Sequence, residues 1–286
     1  MTSAPGPDQR SPREPEPSLL PPPRRGQLDR LGESAIALIL AARDTYGLFV
    51  RSLYYAVRGR REPGAVVRQM YEIGNRSLVF VCIVMGFIGM ILVYQGGLQT
   101  KRVVPDLSQL GATFLEVLVR DLGASICALM LATRVGAGIA AELGSMAVTE
   151  QLDALRLCAA DPVDYLVKPR FLASVVMVLV LTVVSSSAAY ATGMFGAQVF
   201  FGINPRTFVN FTLVDAVDVA TGLTKCVAYG AAIPLISAQA GFAATRGSEG
   251  VGTATTHAVV RSSLAVIALD FLISGAFWVA FGDGSQ

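Results

Sequence analysis

Along the chain, long stretches without a charged side chain alternate with short polar joints. Leu78 to Leu98 contains no Asp, Glu, Lys or Arg, and a helix of that length crosses a bilayer core of roughly 30 Å. Phe171 to Ile203 is a second such run, long enough for one tilted span and a re-entrant or interfacial end. Cys226 to Thr245 is a third, and Ser262 to Gly282 a fourth, broken only by Asp270. Leu110 to Thr133 is also apolar, although Glu116, Arg120 and Asp121 lie in its first half. The pattern predicts an all-α membrane protein, with a domain of five transmembrane helices over residues 78–286.

Upstream, the spacing changes. From Leu28 to Val57, apolar residues such as Leu31, Ala35, Leu38 and Ala42 recur every three or four positions, with Arg30, Arg43, Arg51 and Arg58 between them. That is the period of an amphipathic helix, and a basic one tends to lie in the interface plane instead of crossing it. Residues 28–77 therefore read as an interfacial helix and an elbow leading to the first span. Packing against other protein fits the same spacing. Residues 1–27 hold eight of the fourteen prolines and too few large apolar side chains to offset chain entropy, so they read as a disordered tail.

Composition agrees with a lipid solvent. Of 286 residues, 53% are hydrophobic and 15% charged, with a mean hydropathy of +0.55; soluble domains carry about 25% charged residues. The net charge of +2 gives no electrostatic footprint for nucleic acid, because the basic residues gather at membrane edges. Cys82, Cys127, Cys158 and Cys226 have no paired spacing, so neither a disulfide framework nor a metal site is expected. The N-terminus lacks the apolar core of a cleavable signal.

Lysine and arginine counts set orientation. Arg58, Arg60, Arg61, Arg68 and Arg76 precede the first span, against Lys101 and Arg102 after it. The joint between the second and third spans carries Arg134, Arg156, Lys168 and Arg170, and the next joint only Arg206. These counts put the N-terminus in the cytoplasm and the C-terminus outside.

The joint from Arg134 to Arg156 is then cytoplasmic, and it is acidic. As a single helix over residues 139–157, it would place Glu142, Met146, Thr149, Glu150 and Asp153 in one broad stripe. An acidic stripe around a methionine suits a soluble partner with a cationic, partly apolar groove. An ordinary solvated helix has the same pattern.

The residues of this joint carry more than their pattern. Glu-Leu-Gly-Ser-Met-x-Val-Thr-Glu-Gln-Leu-Asp-Ala-Leu at 142–155 closely resembles the signature of MlaE/YrbE-type permeases of ABC lipid transporters. Gly-Ala-Gly-Ile-Ala-Ala at 136–141, Pro162-x-x-Tyr165-Leu-x-x-Pro169-Arg170 and Glu249-Gly-Val-Gly-x-Ala-Thr-Thr-x-Ala-Val-Val260 extend the resemblance over most of the chain. It implies a homodimer in the bacterial inner membrane, a cytoplasmic ABC ATPase that binds ATP and magnesium, and an extracytoplasmic MCE-domain lipid carrier. The segment between spans 2 and 3 would be the coupling helix, its role mapping onto Glu142, Glu150 and Asp153.

Charges inside a membrane cost at least about 2.5 kcal/mol each on insertion scales, and so call for a reason. The resemblance puts Arg120 and Asp121 near an outward-facing lipid cavity, and Lys225 and Asp270 at further polar positions. Arg120 and Lys225 are candidates to meet a headgroup phosphate while carboxylates hold them. Internal pairing or snorkelling is the alternative.

Catalytic machinery is not expected in this chain. A P-loop needs Gly-Lys-Ser/Thr, whereas Lys101, Lys168 and Lys225 follow Thr or Val. Gly247 to Gly252 has the wrong glycine spacing for a phosphate loop and reads as a turn, and His257 reads as structural. No cofactor is expected in the chain itself. Two other classes stay open: a stand-alone secondary transporter or channel using Asp270, Lys225 and Arg120 as an ion relay, and a membrane scaffold.

Overall fold

A charge-free stretch in hydrocarbon satisfies its backbone only by internal hydrogen bonds, which a helix provides within one segment. The computed structural model describes residues 27–58, 64–103, 107, 109–245 and 247–281; among them every regular element is helical and none is a strand. The predicted tail at 1–27 lies outside them except for Gln27. Helix α1 runs Gln27–Arg58, α2 Ala65–Val103, α3 Leu110–Val117, α4 Gly123–Leu131 and α5 Ala137–Val148. After them come α6 Gln151–Leu157, α7 Lys168–Phe201, the short α8 Pro205–Phe208, α9 Ala216–Phe242 and α10 Gly247–Phe281.

The chain divides into two units, residues 1–40 and 41–286. The described part of the first is the beginning of α1. In the second, α2, α7 with the turn before it, α9 and α10 are each long and apolar enough to cross a membrane. Leu110 to Val148 is also helical, but π-helical turns at Leu118–Leu122 and Ala132–Gly136 divide it into α3, α4 and α5.

Helices α2 and α7 run parallel and lie backbone to backbone. A Cβ at Gly89 would collide with the Ala189 carbonyl, and the Thr192 hydroxyl donates to the Gly86 carbonyl at 2.8 Å. Glycine at these positions lets the two backbones approach. The α3–α5 run returns antiparallel to α2, with Leu110 beside Gly96 near the end of α2. Tyr190 stacks on Phe114 and donates a 3.0 Å hydrogen bond to the Phe208 carbonyl, closing that end of the bundle. Helices α9 and α10 complete an alternation of direction. On α10, Gly250, Ala254, Ala258, Ser262 and Val266 are buried at every fourth position, and small residues there let it approach α5 and α9.

Three local readings are corrected. Residues 139–157 are not one helix: α5 stops at Val148, and Glu150 adopts a left-handed φ of 58° before α6 begins. The Glu150 amide bonds to the Ala147 carbonyl at 3.3 Å, so the chain turns where neither Gly nor Pro signals it. Gly247 to Gly252 is not a loop but the start of α10, packed tightly enough that a Cβ at Gly250 would strike the Thr245 carbonyl. His257 is exposed, where a buried structural histidine is expected.

Candidate functional site

The first π-helical turn, Leu118–Leu122, carries the adjacent charges Arg120 and Asp121. Such turns widen a helix locally and often mark functional positions. Helix α9 presses directly on this turn because Gly222 has no side chain; a Cβ there would strike the Val119 carbonyl. One turn further along α9, Lys225 is fully buried.

Its ammonium faces two carboxylates. Asp121 of the π-helical turn is one, and Asp270 of α10, at 2.8 Å, is the other. Asp270 also accepts from the Tyr229 hydroxyl at 2.7 Å and from Ser125 at 2.8 Å. Ser274 donates to Asp121 at 3.2 Å. One lysine thus joins α9, α10 and the α3–α5 run, and the hydroxyls bond the same carboxylate oxygens that it does.

Arg120 points elsewhere. Its guanidinium lies 3.5 Å from Asp218, a buried carboxylate of α9, while its own side chain is 44% exposed. Asp218 also accepts from the backbone of Asp215 at 3.0 Å, forming a capping box that starts α9. Asp215 is therefore a helix cap. With all five groups ionised, Arg120 and Lys225 against Asp121, Asp218 and Asp270 sum to minus one, so the cluster as a whole is not an anion trap. Arg120 is its one solvent-reaching cation; Lys225 is paired internally.

The acidic joint also divides in two. Glu142 faces Arg170, whose Nη2 is 2.6 Å from its carboxylate, and Arg170 is only 3% exposed. A second bond, from Nη1 to the Leu166 carbonyl at 3.1 Å, fixes the guanidinium. Glu142 is thus tied to the first turn of α7. Thr149, Glu150 and Asp153 are instead exposed around the turn and on α6, while Met146 is half-buried against the apolar cluster of Leu143, Leu152 and Val167. Asp153 pairs with Arg156 at 3.0 Å on the surface.

Nearby, the Tyr55 hydroxyl of α1 donates to Asp161 at 2.8 Å, and Phe49 meets Phe171 edge-on at 6.3 Å. The hydrogen bond to Asp161, then that carboxylate's charge, hold the Tyr55 phenol above its ordinary range. Leu48, Phe49 and Tyr55 of α1 are partly buried against the apolar cluster that holds Phe171, so this stretch of α1 lies beside the bundle.

Sequence reasoning placed the charges but missed partners. Tyr229, Ser125 and Ser274 are ordinary helix residues in one dimension, and Arg170 was read only as part of a motif and of a basic count. Ser125 and Ser274 each follow a carboxylate, Asp121 or Asp270, by four positions, which is the signal the sequence holds for them.

Residues 66–276 match the family described as Permease MlaE. The chain belongs to that family. It is 35% identical over 239 residues to a probable ABC transporter permease protein of Synechocystis, covering 80% of this chain and 88% of the relative. It is 33% identical over 231 residues to the intermembrane phospholipid transport system permease protein MlaE of Haemophilus influenzae, covering 79% and 86%. Protein TRIGALACTOSYLDIACYLGLYCEROL 1, chloroplastic, of Arabidopsis thaliana is 32% identical over 229 residues, covering 79% of this chain and 65% of that one. The MlaE permease family membership and the four apolar helices together make this a multi-pass membrane protein.

Proposed function

We propose that this chain is the membrane subunit of an ABC transporter for phospholipid or a related lipid, working as a homodimer in the inner membrane. A separate cytoplasmic ATPase, holding ATP and magnesium, would supply the energy, and an extracytoplasmic MCE-domain protein would exchange the lipid. The observation that carries this reading is the family match over residues 66–276, joined to a relative whose name states phospholipid transport. The chain itself is non-catalytic in this scheme.

Geometry supports the division of labour. Direction alternates through α2, the α3–α5 run, α7, α9 and α10, as five crossings would require. The basic counts then put the α5–α6 turn in the cytoplasm. Thr149, Glu150 and Asp153 are exposed there and suit a cationic groove on an ATPase; Met146 would serve from behind as packing. Glu142 contributes by holding the turn to α7. At the other end, Arg120 is the group placed to meet a headgroup phosphate, with Asp218 as its counter-charge. Asp121, Lys225 and Asp270 would hold the helices around it.

Purification of the chain from its native membrane tests this. An ATPase and bound phospholipid are expected to come with it. Glu150→Lys with Asp153→Lys should lose the ATPase and keep the lipid, whereas Arg120→Ala should lower bound lipid and keep the ATPase. Transport by the purified chain without ATP would sink the proposal in favour of an ion-coupled carrier.

A further inference from the structure

A second polar site lies toward the other end of the bundle, about 25 Å along the helix from Asp121 at 1.5 Å per residue. A cavity of about 310 Å³ opens between the first turns of α2, the start of α5 and the start of α7. That volume is at the lower end of small-ligand pockets. Arg76, Arg134 and Arg170 line it, with Glu72 and Glu142 as the opposing charges.

The carboxylates are already engaged. Glu72 faces Arg68 at 3.4 Å, outside the cavity, and Glu142 faces Arg170. Arg76 and Arg134 are exposed and make no ion pair among the described residues. Two donors in the wall are buried and unsatisfied among the described residues: the Ser77 hydroxyl, 1% exposed, and Nε of Arg170. A buried donor without a partner costs roughly 1–3 kcal/mol, which a polar occupant of the cavity would relieve.

We propose that this cavity binds a phosphate group, carried by a lipid headgroup or by a small soluble phosphate. Guanidinium forks fit phosphate oxygens in pairs, and Ser77, next to Arg76 on α2, adds a neutral donor. The surface next to the cavity is apolar: Val79, Phe80 and Ile83 of α2 are all exposed, which gives an acyl chain a continuous path from headgroup to membrane. The space beside Gly138 is open, since a Cβ there would meet nothing within 4 Å.

Calorimetry on the detergent-solubilised full chain tests this with three probes: dihexanoylphosphatidylglycerol, dihexanoylglycerol and inorganic phosphate. The phosphatidylglycerol should bind about tenfold or more tighter than the glycerol lacking phosphate, as expected for charge-assisted bonds. Arg76→Gln with Arg134→Gln should remove that advantage, and so should Gly138→Leu, which fills the cavity without changing charge. Both alter exposed positions, so folding is preserved and is checked by circular dichroism. All variants are compared in an Arg120→Gln background, so that the site proposed around Arg120 contributes nothing to the difference. Inorganic phosphate binding as tightly as the lipid assigns a soluble ligand; much weaker binding assigns the headgroup. An unchanged advantage in either cavity variant overturns the proposal.

Discussion

The Arg170 guanidinium sits 2.6 Å from the Glu142 carboxylate and binds the middle of α5 to the first turn of α7. The two partners differ in exposure, 4% for the arginine side chain against 54% for the glutamate. Removing one is therefore not equivalent to removing the other. Glu142→Gln leaves a charge buried without its partner, and should destabilise by about 1–2 kcal/mol after allowing for solvent screening of the exposed glutamate. Arg170→Met replaces the charge with an apolar chain and lets Glu142 turn to water, so it should cost less. Thermal unfolding in detergent compares them, and equal losses would show that the pair is not the source.

Lys225 predicts a larger asymmetry. Lys225→Met leaves Asp121 and Asp270 facing each other without their shared cation, which should cost about 3 kcal/mol, at the low end for a broken buried pair because both carboxylates are part-exposed. Adding Asp121→Asn and Asp270→Asn should recover most of the loss. A triple variant no more stable than the single one would show that Lys225 acts by volume and not by charge.

At the α5–α6 turn, Glu150 holds a left-handed φ of 58°, a conformation that costs non-glycine residues roughly 1–2 kcal/mol. Glu150→Gly should raise stability by about 1 kcal/mol while weakening ATPase capture. Gain in one property with loss in the other would mark strain retained for function. A glycine variant that captures the ATPase normally would assign docking to Thr149 and Asp153 instead.

Tyr55 gives a pH dependence with a definite sign. Because Asp161 raises its pKa in the folded protein, the neutral phenol is favoured by folding. That stabilisation is complete below the ordinary tyrosine value of about 10 and is lost as pH rises through the folded value. Amide exchange over residues 42–58 should be faster in Tyr55→Phe than in the wild type at about pH 9, with the difference shrinking at higher pH. Identical exchange at the lower pH would show that the bond does not tether α1.

How much of this was legible in sequence follows from what one dimension can carry. Charge-free length is a local property, so α2, α7, α9 and α10 were readable. Pairing across the bundle is not local: Lys225 finds Asp121 across 104 positions and Asp270 across 45, and nothing near any of them names the others. The break at Glu150 was hidden because a glutamate took the left-handed position that Gly or Asn usually fills. The π-helical turns were hidden too, since one extra residue in a turn leaves the apolar pattern almost intact.

The lysine shared by three helices has a mechanical consequence. Three helices fastened at one level resist sliding along their axes, because axial slip would pull an ammonium from both carboxylates at once. Rotation about that level stretches those bonds least. A push on the α5–α6 turn would then reach the far end as a tilt of opposite sense, with Lys225 as the fulcrum and helix length setting the leverage.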